Sequence, residues 1–357
     1  MDKIRIGVIG TGNIAREHLN AYRKNPHVEI YALCDINPDI LAKRAEEYGV
    51  PAERTFTSCE DMVRLPEIDA VSVCTWNCAH APCTIAALNA GKHVLCEKLM
   101  AMNTQEALAM KEAAERNGKL LMIGFVRRYG NDCDILKDLI ENDQFGEIYY
   151  AKATYLRRNG NPGGWFGDKA RSGGGPLIDL GVHVIDLSRY LLGCPKPVSV
   201  YGATFRKLGN RPDVKGGKAY IASRTSDTDV CDVEDLATAL IRFDNGAVIS
   251  VEASFSLNIK KPVGNIELFG TKAGAKIDPE LEMYSEMNGY MTNITLDHPT
   301  ALSFDGLFAR EINHYVDCVR NGLPCRSPAK DGVTLMRILD AIYESAATGH
   351  EVIIKED

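Results

Sequence analysis

"KIRIGVIGTGNIAREHLNAYRKN", residues 3–25, changes period abruptly in its middle. Residues 3–10 alternate branched apolar side chains and then break on glycine, as a buried strand does. After the break, Ile14, His18, Leu19 and Tyr22 recur at helical spacing. The joint reads Gly10-Thr11-Gly12-Asn13-Ile14-Ala15, the G-x-G-x-x-G/A pattern. In it Gly10 allows the tight turn, Gly12 lets a pyrophosphate approach the helix N-terminus, and Ala15 keeps helix and strand close. Glycines at a strand–helix turn are common, so the motif gains its weight from context. Asp35 lies twenty residues beyond Ala15, at the end of the next apolar run, 28–34. A carboxylate there binds the adenosine ribose diol and repels the 2′-phosphate of NADP, so the expected cofactor is NAD rather than NADP. Ile36 brings no cation for a phosphate, although Lys43 and Arg44 are within reach of folding back.

Outward from this unit, apolar runs at 69–75, 92–97 and 119–124 alternate with helical stretches at 38–48, about 81–91 and 104–118. Alternating strands and helices predict a parallel sheet with crossover helices. Residues 1–124 therefore read as an α/β Rossmann domain that binds NAD. In such sheets ligands lie at the carboxyl ends of the strands. Thr75, Trp76 and Asn77 fall at one such end, with His80 opening the next helix, and Glu97 and Lys98 fall at another. Asn77 has either a cofactor ribose or amide to bond, or, with Thr75, a turn to cap.

Beyond Gly124 the rhythm changes. After a helix at 134–142, strand-like runs cover 146–157, 197–205, 234–243, 247–257 and 265–271. Asn245-Gly246 between two of them is a hairpin signal. These runs predict an α+β domain over 125–357 with a large, open-faced, mostly antiparallel sheet. A polar stretch at 206–229 reads as a surface loop, and helices at 308–321 and 329–348 close the chain, free to pack back on the first domain.

"RSGGGPLIDLGVHVIDLSRYLLG" (171–193) carries the second concentration of chemistry. Gly173 to Gly175 with Pro176 form a helix start. Leu177, Leu180, Val184, Leu187 and Leu191 read as its core stripe, while Asp179 and His183, four apart, share another face that Asp186 continues. A carboxylate-oriented His serves as a general base for an alcohol proton, and the same pair also serves as an interface contact. The helix offers at most three metal ligands without a partner motif, so no metal is expected.

A net charge of −7 argues against nucleic acid as a partner, and no apolar run reaches membrane-spanning length. Eleven cysteines without a C-x-x-C pair fit reduced thiols in a cytoplasmic protein.

In order along the chain, "GVIGTGNIA", "CEKLMA" and "GGGPLIDLGVHVID" give it a resemblance to the Gfo/Idh/MocA oxidoreductases, the family of inositol dehydrogenases and glucose–fructose oxidoreductase. The likeness covers essentially the whole chain. It implies a Rossmann domain followed by an open-faced sheet used in homodimers or homotetramers. It implies cofactor contacts on Gly10, Gly12, Asn13, Ile14, Asp35, Thr75, Asn77, His80, Glu97 and Lys98, and a catalytic Lys98, Asp179 and His183. Lys98, Asp179 and His183 would also touch substrate, with Arg127 and Trp165 lining the same cleft; Arg128 and Asn159 add further polar groups. Trp165 has a sugar or nicotinamide face to stack on, or ordinary loop packing to do. Leu99 stands where most members have a proline, often after a cis peptide; a cis bond before a non-proline residue costs about 2.5–4 kcal/mol, which leaves a cis and a trans course open. The implied activity is NAD-dependent oxidation of a hydroxyl on a cyclic polyol, sugar or sugar derivative. Two other readings within the family are an NAD-dependent glycosidase with an internal redox cycle and a cofactor-sensing regulator without turnover.

Overall fold

A computed structural model describes residues 3–209, 211, 213–215, 221–222, 225, 229–301 and 303–355. The chain divides into two compact units, Met1–Tyr129 with Ser303–Val333, and Gly130–Leu302 with Thr334–Asp357. The expected loop at 206–229 falls partly outside the described residues.

The first unit alternates β1 (Ile4–Ile9), α1 (Asn13–Lys24), β2 (Val28–Cys34), α2 (Pro38–Tyr48), β3 (Thr55–Phe56), α3 (Cys59–Val63), β4 (Ala70–Val73), α4 (Asn77–Asn89), β5 (His93–Glu97), α5 (Thr104–Arg116) and β6 (Leu121–Gly124). The six strands are parallel, in the order β3-β2-β1-β4-β5-β6. This is the doubly wound order, in which the strand sequence reverses between β1 and β4 and opens a crevice beyond their carboxyl ends. Strands β4 and β6 are buried along their whole length, as sheets covered on both faces require. Helix α1 seats Ala15, Leu19 and Tyr22 in the core that Ile6, Val8 and Leu33 build from the sheet.

The second unit runs α6 (Asn131–Glu141), β7 (Ile148–Leu156), α7 (Lys169–Ser172), a π turn (Leu177–Gly181) continuing into α8 (Val182–Leu191), then β8 (Pro197–Phe205), β9 (Leu236–Phe243), β10 (Val248–Ser254), β11 (Val263–Gly270), β12 (Ala273–Ile277), β13 (Glu282–Met287) and β14 (Tyr290–Ile294). Helix α9 (Phe304–Asn321) belongs to the first unit. Helix α10 (Ala329–Thr348) and β15 (Val352–Ile353) end the chain. Nine strands form one sheet, in the order β14-β13-β12-β11-β7-β10-β9-β8-β15. β7 and β10 pair in parallel and the other neighbours antiparallel. The expected Asn-Gly hairpin joins β9 to β10, with Gly246 at φ +86° supplying the left-handed residue the turn needs. One face of the sheet carries the π turn and α8, while Tyr149, Tyr201 and Leu240 are exposed. The π turn departs from the α-helix expected there. The amide of Val182 donates to the carbonyl of Leu177, five residues back, which widens the turn that carries Asp179.

Candidate active site

The glycine turn sits at the strand reversal. Gly10 has φ +82°, and a Cβ on it would meet the Cys74 carbonyl oxygen at 2.6 Å, so the end of β1 is pressed against the turn after β4. Gly12 differs, because a Cβ there would meet nothing within 4 Å. It is the N-cap of α1, which has no side-chain cap and no acidic residue in its first turn. Open amides at a helix start, fronted by an open glycine, fit a pyrophosphate. Asn13 and Ile14 open that helix.

Asp35 stands just past β2. Its Oδ2 accepts from the Thr11 amide at 2.7 Å and the Thr11 hydroxyl at 3.0 Å, and Oδ1 accepts from the Asn37 amide at 2.8 Å. The carboxylate therefore fixes the glycine turn and has acceptor capacity left for a ribose diol. Arg44 does fold back: its Nε donates to the Thr11 carbonyl at 3.1 Å, while the same guanidinium pairs with Glu47 at 2.6 Å. Thr75 and the exposed Trp76 form the turn after β4, and α4 starts at Asn77 with no side-chain cap.

At the end of β5 the chain turns its charges to different tasks. Glu97 is buried, and its Oε1 accepts from His18 Nε2 at 2.9 Å. His18 Nδ1 lies 3.2 Å from the Ser72 hydroxyl, and Ser72 lies 2.6 Å from the Tyr22 hydroxyl. Burial holds the Tyr22 phenol far above its ordinary pKa, so it donates. The chain then runs from Tyr22 to Ser72 to His18 to Glu97, each donating to the next. Glu97 Oε2 accepts from the Lys98 amide at 3.2 Å. Both oxygens of the Glu97 side chain thus accept from groups inside the protein. His80 is buried too, with Nδ1 2.5 Å from the Leu99 carbonyl oxygen and Nε2 3.1 Å from that of Thr75. Burial lowers its pKa while both carbonyls oppose the shift; a neutral ring donates through Nδ1, at the shorter contact. The Lys98–Leu99 peptide is cis. Between Val94 and Ala101, Lys98 is the one residue not buried.

The two arginines after β6 part company. Arg127 is half-buried, whereas Arg128 is fully buried, with NH1 2.8 Å from both Asp331 Oδ2 and the Arg326 carbonyl. Arg128 therefore holds the closing segment of its own unit, which corrects its expected place among ligand-binding groups.

In the second unit every residue from Gly174 to Arg189 is buried except Asp179 and His183, which are half-buried. Asp186, expected to continue their face, is buried with the core. The run is pinned at its start by Glu234, a residue that sequence reading did not single out: its carboxylate accepts from the Gly175 amide at 3.0 Å and the Leu177 amide at 3.2 Å. Trp165 packs on Phe166, ring centroids 4.1 Å apart, in a loop tied through the Gly164 amide to Asp229 at 2.9 Å. Among the described residues no group of His, Cys, Asp and Glu is arranged to hold a metal ion, and no helix is long and apolar enough to cross a membrane.

Residues 4–125 match the GFO_IDH_MocA family model, an oxidoreductase family with an NAD-binding Rossmann fold, and residues 137–354 match that family's C-terminal alpha/beta domain. The chain is 33% identical to D-glucoside 3-dehydrogenase of Escherichia coli K12 over 352 residues, covering 98% of this chain and 97% of the relative. It is 31% identical to myo-inositol 2-dehydrogenase of Thermotoga maritima over 273 residues, covering 75% and 73%. A solved structure of levoglucosan dehydrogenase in complex with NADH superposes with a TM-score of 0.87 at 26% identity, covering 100% of each chain.

Proposed function

Because this chain belongs to the Gfo/Idh/MocA oxidoreductase family, we propose that it is an NAD-dependent dehydrogenase acting on a ring hydroxyl of a sugar or cyclic polyol. The observation that carries this reading is the exposure pattern of the second unit, where a buried run of sixteen residues releases only a carboxylate and an imidazole to solvent. Two such groups one helical turn apart are what an alcohol proton transfer needs. NAD would be held by Gly10, Gly12, Asn13 and Ile14 at its pyrophosphate, by Asp35 at its ribose, and by Thr75, Asn77 and the backbone at Glu97 and Lys98. When bound it supplies the hydride acceptor. Asp35 supports NAD over NADP, since its fixed carboxylate would face a 2′-phosphate and Arg44 is already neutralised by Glu47.

His183 takes the proton of the reacting hydroxyl, and Asp179 orients the ring and stabilises its charged form. Lys98 bonds the same oxygen and stabilises the negative charge that grows on it. In reverse, His183 returns the proton to the carbonyl oxygen. The dehydrogenases named above act on a glucoside and an inositol, which supports a hydroxylated six-membered ring as substrate. The test is NADH absorbance with NAD and a panel of glucosides, anhydrosugars, aldoses and inositols. NADH is expected to accumulate with at least one ring compound. A protein that binds NAD yet produces no NADH with any of them would overturn the reading.

The exposed Tyr201 and Leu240 pair across β8 and β9 on the open side of the sheet, and this apolar surface supports a homodimer or homotetramer. Light scattering is expected to give two or four times 39.2 kDa; a monomer mass would remove that assignment. Eleven free cysteines support a reducing, cytoplasmic location.

A further inference from the structure

We propose that Glu234 is the positioning residue of the Asp179–His183 pair, holding both through the backbone of the glycine segment before them; the proposal rests on the catalytic reading of that pair. Glu234 is 9% exposed and stands just ahead of β9, on a different part of the chain. Its carboxylate accepts three hydrogen bonds, from the amides of Gly175 and Leu177 and from the Tyr343 hydroxyl at 3.0 Å. Burial raises the acid's pKa, opposed in part by its own backbone amide and by those three donors, while burial and the adjacent charge keep Tyr343 protonated, as a donor must be.

Each bonded amide belongs to a residue whose carbonyl reaches on, one to Asp179 and the other to the residue before His183. The Gly175 carbonyl accepts from the Asp179 amide at 3.0 Å. The Leu177 carbonyl accepts from the amide of Val182, the residue before His183. One buried carboxylate thus stands two hydrogen bonds from the backbone of Asp179 and two from that of Val182. The first of these links is an ordinary i→i−4 bond at the entry to the π turn, and the second is the i→i−5 bond that makes the turn wide, so Glu234 holds both the entry and the start of the widened turn. The glycines ahead of the turn find their reason here as well. A Cβ on Gly174 would run into the Tyr343 hydroxyl, and one on Gly175 would run into the Glu234 carbonyl oxygen. Only a bare backbone lies close enough to share this carboxylate.

Glu234→Gln keeps the shape but turns a donor toward one of the two amides, so one of these links is lost. Expected is a fall in kcat of about 30-fold with sugar KM and NAD affinity unchanged, because displacement of reacting groups by a fraction of an ångström affects the transition state most. The deuterium isotope effect on kcat is expected to rise, as hydride transfer becomes the slow step. A variant that only loses thermal stability, with wild-type kcat and isotope effect well below its Tm, would overturn the proposal. His183→Ala runs beside it: if that variant keeps wild-type turnover, the catalytic pair itself is misassigned and the role of Glu234 falls with it. Should Glu234→Gln fail to fold, Tyr343→Phe removes one donor and leaves both amide bonds. A drop in kcat of about fivefold with KM unchanged is then expected, and unchanged kcat rejects the proposal.

Discussion

His183→Ala is expected to lower kcat by about 10³-fold, the span that a positioned general base contributes. NAD affinity should stay at the wild-type level, because His183 lies in the second unit and the glycine turn, Asp35 and Thr75 lie in the first. Substrate KM should change little, since the lost interaction is made as the proton moves. Folding is not at risk in the same measure: the side chain is half-buried, in a run whose other members make the core. Turnover within tenfold of wild type would remove His183 from the reaction. Loss of NAD affinity together with turnover would indicate a structural role instead. Asp179→Asn is the natural companion, since it keeps volume while removing the charge that favours the protonated ring.

The first unit was legible because its signals are local. A strand, a glycine turn, a helix and Asp35 occupy 33 consecutive residues, and each depends on neighbours in sequence. The same holds for the Asn245-Gly246 hairpin, whose turn chemistry is complete within two residues. What was not legible depends on partners far along the chain. Arg127 and Arg128 look alike in sequence, but in the 3₁₀ turn Val126–Tyr129 successive side chains point about 120° apart, and Arg128 meets Asp331, two hundred residues on. Glu97 read as a crevice charge because its strand ends there; the His18 that claims it was counted with the apolar stripe of α1. The signal was present in a weak form, since a histidine on the buried side of a helix requires polar partners. Glu234 is similar: a charged residue directly before an apolar strand can cap, pair or bind, and only the fold shows that it meets Gly175 and Leu177. The π turn had no signal in the spacing of Leu177, Leu180 and Val184, which suits an α-helix equally well.

Lys98→Met should cost between about 10² and 10³ in kcat/KM, the size of one lost charge-stabilising donor at a developing oxyanion. The backbone that carries this side chain is held on both sides. Its own amide donates to Glu97, which is braced through His18 and Ser72 to Tyr22, and the carbonyl of the following residue meets His80. A backbone fixed in this way sets the point from which the side chain reaches out, so ordering the ammonium costs side-chain freedom but no backbone freedom. Methionine keeps the length and the apolar stem, so the variant should fold, with a Tm near that of wild type and NAD affinity unchanged. The measurement is NADH formation beside wild type, with the substrate found in the panel. A loss confined to KM would mean that Lys98 only holds substrate, and no loss at all would make it a structural cation. His18→Leu gives the matching control on the bracing itself. It leaves the ammonium in place but strips Glu97 of its buried donor, so turnover should fall less than in Lys98→Met while stability falls more, because a buried carboxylate without its partner is among the costlier defects a core can carry.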